Sequence, residues 1–272
     1  MADNNFRMSR KGLQTTWTDR PNVEYFVRGS TARRTSDNWP PQTVDYQALY
    51  LHPAKSGSVH SLNDESLQRT VPAGSASTSY QYPNPGWVSG VVGFGPGGPA
   101  GGFDPARRIL TFTTVPLEAD IEIAGPIRVS LFASTSATDT DFFVKLSDQF
   151  PSGAMESSAQ VNPRFDVVSR GWLRASHRAL DSMRSTPEVP VHLHDREDPL
   201  VAGVIYRFDI SLEPQAYLFA AGHRIRLEIS NGDSPVSEAL WTHFYRPDRI
   251  GIDTIHHGHD YPSCLVLPVN II

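Results

Sequence analysis

The feature that most constrains this chain is a two-residue alternation that recurs along its 272 residues. In Ile127-Arg128-Val129-Ser130-Leu131-Phe132-Ala133 the odd positions are all apolar, while Arg128 and Ser130 fall on the other side. Successive side chains of a strand point to opposite faces, so such a run is a strand with one face in a core and one in water. Residues 78–82, 109–113, 143–147, 206–212 and 225–229 carry the same signal. Residues 23–27, 46–51 and 265–269 read as strands with a looser pattern. The 22 prolines break most helical windows, since proline lacks the N–H donor and clashes with the preceding turn. The exception is 236–243, after Ser234-Pro235, where a turn or two of helix is expected. Many short strands separated by turn residues predict an all-β antiparallel sandwich with few short helices.

Composition excludes several functions. A net charge of −5 gives no electrostatic steering toward nucleic acid or an acidic membrane. The cations are almost all arginine, with Lys11, Lys55 and Lys145 the only lysines, which suits paired carboxylates at packed sites. No apolar run approaches the eighteen residues a spanning helix needs. The first residues carry Arg7, Arg10 and Lys11 but no apolar stretch of a secretory leader. Cys264 is the only cysteine, so no intrachain disulfide forms, and its apolar run predicts a buried structural thiol. A cytoplasmic location is the expectation. Residues 1–22 are expected to be an extended or disordered lead-in, and 23–272 one β domain.

No catalytic engine is legible. The chain has no Gly-x-Ser-x-Gly; Gly86-Trp87-Val88-Ser89-Gly90 comes nearest, with its serine one place late and no strand–turn–helix context. Residues 86–102 hold eight glycines and two prolines in 17 residues. That is too long for a hairpin turn, and loops of this kind are often functional. It contains no lysine and so is no phosphate-binding loop. Metal chelation was weighed at His192/His194 and at His256/His257/His259, both read as loop-like, and at Asp139/Asp141. No further ligand at suitable spacing completes any set, so no metal or cofactor is implied. Asp139 and Asp141 are expected to cap a turn or to pair with Arg128 or Arg174.

An ordered series of motifs nevertheless resembles one family. It runs Gly125-Pro126, Val129-Ser130-Leu131-Phe132-Ala133-Ser134-Thr135, Asp139-Thr140-Asp141-Phe142, Lys145-Leu146-Ser147-Asp148 and Pro151-Ser152-Gly153. Gly171-Trp172-Leu173-Arg174-Ala175-Ser176-His177-Arg178, Gly222-His223-Arg224-Ile225-Arg226-Leu227 and the final run to Val269 continue it. Tyr25-Phe26-Val27-Arg28-Gly29 and Trp39-Pro40-Pro41 resemble the link from a preceding domain. Together these are similar to the C-terminal domain of the X-prolyl-dipeptidyl-peptidase and cocaine esterase (CocE/NonD) serine hydrolases, over about residues 23–270. The resemblance implies a galactose-binding-like jelly-roll sandwich that packs on an α/β-hydrolase domain or subunit. It places the triad in that other domain, so no catalytic residue is carried over and this chain alone is expected to be inactive. His52, His60 and His177 match no catalytic motif of the family. The resemblance also suggests that the 86–102 crossing leans toward the cleft, with Trp87, Val91, Val92 and Phe94 lining it. The Pro-x-x-Gly-Gly usual there is not kept. The competing expectation is a stand-alone module that binds carbohydrate, with Trp87, Trp172 and Trp241 as platforms, or one that forms homo-oligomers.

Overall fold

The computed structural model describes residues 20–58, 63–82, 109–151, 165–232 and 246–271. The expected segments 86–102 and 236–243, and with them Trp87, Val91, Val92 and Phe94, lie outside the described residues.

In chain order the described strands begin with β1 (Val23–Phe26), β2 (Arg33–Ser36), β3 (Val44–Lys55), β4 (Glu65–Gln68) and β5 (Ser75–Tyr82). They continue with β6 (Leu110–Thr113), β7 (Ile121–Thr135), β8 (Asp141–Gln149) and β9 (Phe165–Arg174). The last are β10 (Tyr206–Phe219), β11 (Arg224–Ser230), β12 (Gly251–Gly258) and β13 (Cys264–Asn270). The described helical structure is two three-residue 3-10 turns, Ala175–His177 and Pro247–Arg249. Among the described residues no helix is long and apolar enough to cross a membrane.

β7 organises the architecture. One edge pairs along its length with β10, from Phe219↔Ile121 to Tyr206↔Ala133, through one bulge between Leu212 and Gln215. The other edge is shared between two strands. β13 takes the part from Ile123 to Ser130, and β12 takes Phe132 to Thr135. Beyond β13 the path runs β3, β4, β6, β11, β8, β9, and β5 lies outside β12. All pairings are antiparallel except the short β4–β6 contact.

The far end of this path returns to its start, and the result is a sandwich. β9 packs on β10 so closely that a Cβ on Gly171 would lie 2.4 Å from the Ser211 carbonyl oxygen. The Ser169 hydroxyl donates to the Glu213 carbonyl at 2.6 Å. Arg28 ties the two edges together, donating to the carbonyls of Val167 and Val168 at 3.2 Å and to Gln215 at 3.1 Å. The enclosed core takes the inward residues of the alternating runs. Ile127, Val129, Leu131 and Ala133 of β7 are buried beside Phe208, Ile210, Leu227 and Leu265. The hairpin β1–β2 stands apart, held by Arg34, whose guanidinium meets the buried Glu122 carboxylate at 3.0 Å.

Every alternating run read from the sequence lies within a strand or overlaps one. The 256–259 reading needs correction, because His256 and His257 belong to β12 and not to a loop. Their strand was hidden because two of its inward positions, Asp253 and His257, are polar. β2 and β4 were also not read, being four residues each and poor in apolar side chains. Cys264 is half-buried, and burial pushes its thiol above the usual value.

The closeness of β9 to β10 is testable by urea unfolding. Gly171→Ala, which forces a methyl into the Ser211 backbone, is expected to cost about 1–3 kcal/mol. Gly74→Ala, where nothing lies within 4 Å of the added carbon, is expected to stay within about 0.5 kcal/mol of wild type.

Candidate functional site

The strand registers bring Tyr82, Leu110, Thr135, Asp141, Arg174, Ser230 and Gly251 to one end of the sandwich. The described residues that flank segments 83–108 and 233–245 therefore emerge together there. The predicted cleft residues Trp87, Val91, Val92 and Phe94 belong to the first of these segments, and its described anchors lie at this end.

It is built on a buried polar platform. Asp139-Thr140-Asp141 leads into β8, and its three side chains all find polar partners. Asp139 accepts from the Ser176 backbone N–H at 2.8 Å and from the Ser176 hydroxyl at 3.1 Å. The Thr140 hydroxyl donates to Asp253 at 2.9 Å. Asp141 accepts from Arg174 Nε at 3.1 Å. Arg249 closes the cluster. Its side chain is only 3% exposed, and it pairs with Asp139 at 3.2 Å and with Asp141. The expected Asp141–Arg174 pair is thus present, while Arg128 serves a different carboxylate, Asp209, at 2.8 Å. Behind this layer Asn231 donates to Asp253 at 2.8 Å. Burial pushes the Asp253 carboxyl above its usual range, against the hydrogen bonds from Asn231, Thr135 and Thr140. Tyr80, fully buried, is raised further by burial and by the nearby Asp253 charge. The Tyr82 hydroxyl accepts from the Arg246 backbone N–H at 2.7 Å, which pins the end of one segment to the end of the other. Each platform carboxylate is occupied by donors from neighbouring strands, loops and 3-10 turns. Such a cluster fixes geometry, because every described carboxylate in it is held by hydrogen bonds or ion pairs.

A second cluster lies at the opposite end, in a recess of about 400 Å³. His223 Nδ1 donates to Asp148, 3.0 Å from both oxygens, and the Tyr217 hydroxyl donates to the same carboxylate at 3.0 Å. A carboxylate holding an imidazole by Nδ1 is two-thirds of a hydrolase triad. Among the described residues no Ser, Thr or Cys lines the recess. Tyr217 is raised by burial and by Asp148, which keeps it a phenol and a donor. Sequence reasoning named Asp148 and His223 only as parts of family motifs and missed their pairing. The signal was weak, since 75 residues separate them.

The remaining histidines disperse. His257 is buried against Glu65 at 3.3 Å, with Thr78 donating to the same carboxylate at 2.8 Å. His256 contacts the Ser134 hydroxyl at 2.9 Å, and His259 sits exposed beside Asp260. His192 and His194 do come together, with ring centroids 5.6 Å apart and His177 5.4 Å beyond His194. Among the described residues no three His, Cys, Asp or Glu are placed to hold a metal ion. Of the tryptophans considered as sugar platforms, Trp172 is described and half exposed; Trp87 and Trp241 lie outside the described residues.

The described residues thus form an all-β sandwich that carries two buried polar clusters, one at each end. Residues 15–266 match the family described as the X-Pro dipeptidyl-peptidase C-terminal non-catalytic domain, and the chain belongs to that family. It is 31% identical over 239 residues to a protein provisionally named a serine esterase in Mycobacterium bovis, covering 82% of this chain and 34% of that one. It is 27% identical over 265 residues to the cocaine esterase of Rhodococcus, covering 92% of this chain and 42% of the relative. A CocE/NonD family hydrolase from Staphylococcus aureus shares the fold at a TM-score of 0.71 and 22% identity, over 98% of this chain and 45% of that one. The chain therefore spans between about a third and a half of the length of the relatives it matches.

Two predictions follow from the platform. Arg249→Met leaves Asp139 and Asp141 short of their buried cation and is expected to cost about 3–5 kcal/mol in urea unfolding. Asp253 has a folded pKa above its unfolded value, so its protonated form favours folding. That contribution is complete below the unfolded pKa near 3.8 and is lost as pH rises through the higher folded pKa. Asp253→Asn cannot titrate, so the advantage of wild type over this variant is expected to shrink across that window.

Proposed function

We propose that this chain is the accessory C-terminal module of a CocE/NonD-type serine hydrolase of the acyl ester, amide or X-Pro dipeptidyl-peptidase class. It packs on an α/β-hydrolase domain that the 272 residues do not contain. The observation that carries this reading is the pattern of coverage. Nearly all of this chain matches less than half of each relative, and the matching region is a domain described as non-catalytic. The chemistry agrees, because the described residues hold a dyad without a nucleophile and carboxylates already occupied.

In this reading the platform end faces the catalytic domain. Arg249, Asp141 and Asp253 hold the anchors of 83–108 rigid, and Trp87, Val91, Val92 and Phe94 line the substrate cleft. Their contribution is to exclude water and position the acyl group, while the triad acts from the other domain.

The test is co-expression with an α/β-hydrolase chain from the same genome, followed by hydrolysis of p-nitrophenyl acetate and an X-Pro-p-nitroanilide. A stable complex with raised activity is expected. Trp87→Ala with Phe94→Ala is expected to lower kcat/KM about tenfold while leaving the complex intact. Absence of both complex and activity gain would contradict the reading.

A further inference from the structure

At the end of the sandwich opposite the platform, the sheet path is incomplete. β4 pairs with β3 only from Tyr50 onward, so β4 leaves the β3 edge at Gln47 and Leu49 unfilled. β6 covers β11 only from Arg226 to Ile229, and Ile225 lies past its last strand pair. The chain after β6 crosses this gap as an irregular strap, tied by Thr114 N–H to the Ile225 carbonyl at 3.0 Å and by Leu117 N–H to the His223 carbonyl at 2.8 Å.

Beneath the strap is a groove of about 650 Å³, within the range of small-molecule sites. Its floor is the core itself, formed by Leu49, Leu67, Ile225 and Leu267. Leu117, Ile121 and Val269 complete the apolar walls. The charged lining residues, Lys55, Arg69 and Glu118, are all exposed and so belong to the rim. Lys55 donates to the Asn63 carbonyl and Arg69 to the Gln47 side chain, both neutral acceptors. Among the described residues no carboxylate forms an ion pair with either cation, so both stand at the mouth of an aliphatic slot bound only to neutral acceptors.

We infer that this groove is a binding site for an aliphatic carboxylate, its chain laid along Leu49, Leu67, Ile225 and Leu267 and its head group held by Lys55 and Arg69. An aliphatic tail is favoured because the walls are branched aliphatics and offer no aromatic face. An anionic head is favoured because the rim holds two cations against one anion. The site lies away from the platform end, so it stands independently of the proposed contact with a hydrolase domain.

The experiment is calorimetric titration of the full chain with octanoate, decanoate, dodecanoate and 1-decanol. Saturable binding of one carboxylate per chain is expected, tightening about fourfold for each methylene added, with decanol weaker than decanoate. Lys55→Gln with Arg69→Gln is expected to weaken decanoate about tenfold and to leave decanol unchanged. Ala119→Trp, on the exposed strap, is expected to fill the groove and abolish binding of both without altering the circular dichroism. The inference is overturned by absence of saturable binding, as when a segment of the chain itself occupies the groove. It is equally overturned if decanoate and decanol bind alike, or if neither the charge variant nor the filling variant changes the affinity.

Discussion

The fold depends on the satisfaction of both edges of β7. A fifteen-residue strand buried at its centre presents a donor and an acceptor at almost every position, and each unpaired group would cost a desolvation penalty. One long partner, β10, satisfies one edge. The other edge needs two shorter partners, β12 and β13, placed end to end. That division leads the chain into two separate runs of strands. It also places the β5–β12 pair at one end of the sandwich, where Asp253 is buried, and the β3–β13 pair at the other, where the groove opens.

Most of the fold was legible because burial is written in the alternation. Ile127, Val129, Leu131 and Ala133 could be assigned to a core face from the sequence, and all four are buried. What could not be read are strands whose inward positions are polar. In β12 the inward set is Asp253, Ile255 and His257, while the apolar Ile252 faces outward. Hydrophobic periodicity therefore points the wrong way, and the partners that make the burial tolerable, Thr140, Asn231 and Glu65, are distant in sequence. β2 and β4 are short and poor in apolar side chains, unlike the equally short β1 and β6, so they left no signal.

The candidate site was legible to a smaller extent. The pairing of Asp141 with Arg174 was one of two expected for these aspartates, while Arg128, the other, pairs with Asp209. The role of Arg249 was not expected, because it reaches Asp139 and Asp141 from more than a hundred residues away. The Asp148–His223–Tyr217 cluster shows the same limit from another side. A dyad is defined by space, and its sequence trace is two ordinary residues in two different strands. Both clusters bind strand ends together through buried hydrogen bonds to charge, where removing one partner strands the other.

We propose that this sandwich presents its platform end to a hydrolase domain. Hydrogen–deuterium exchange of the chain, alone and mixed with an α/β-hydrolase chain from the same genome, tests it most directly. Slowed exchange at Tyr82, Leu110, Asn231 and Arg246, with the groove strap at 114–120 unchanged, is the predicted result. Unchanged exchange throughout, or protection confined to the strap end, would contradict it.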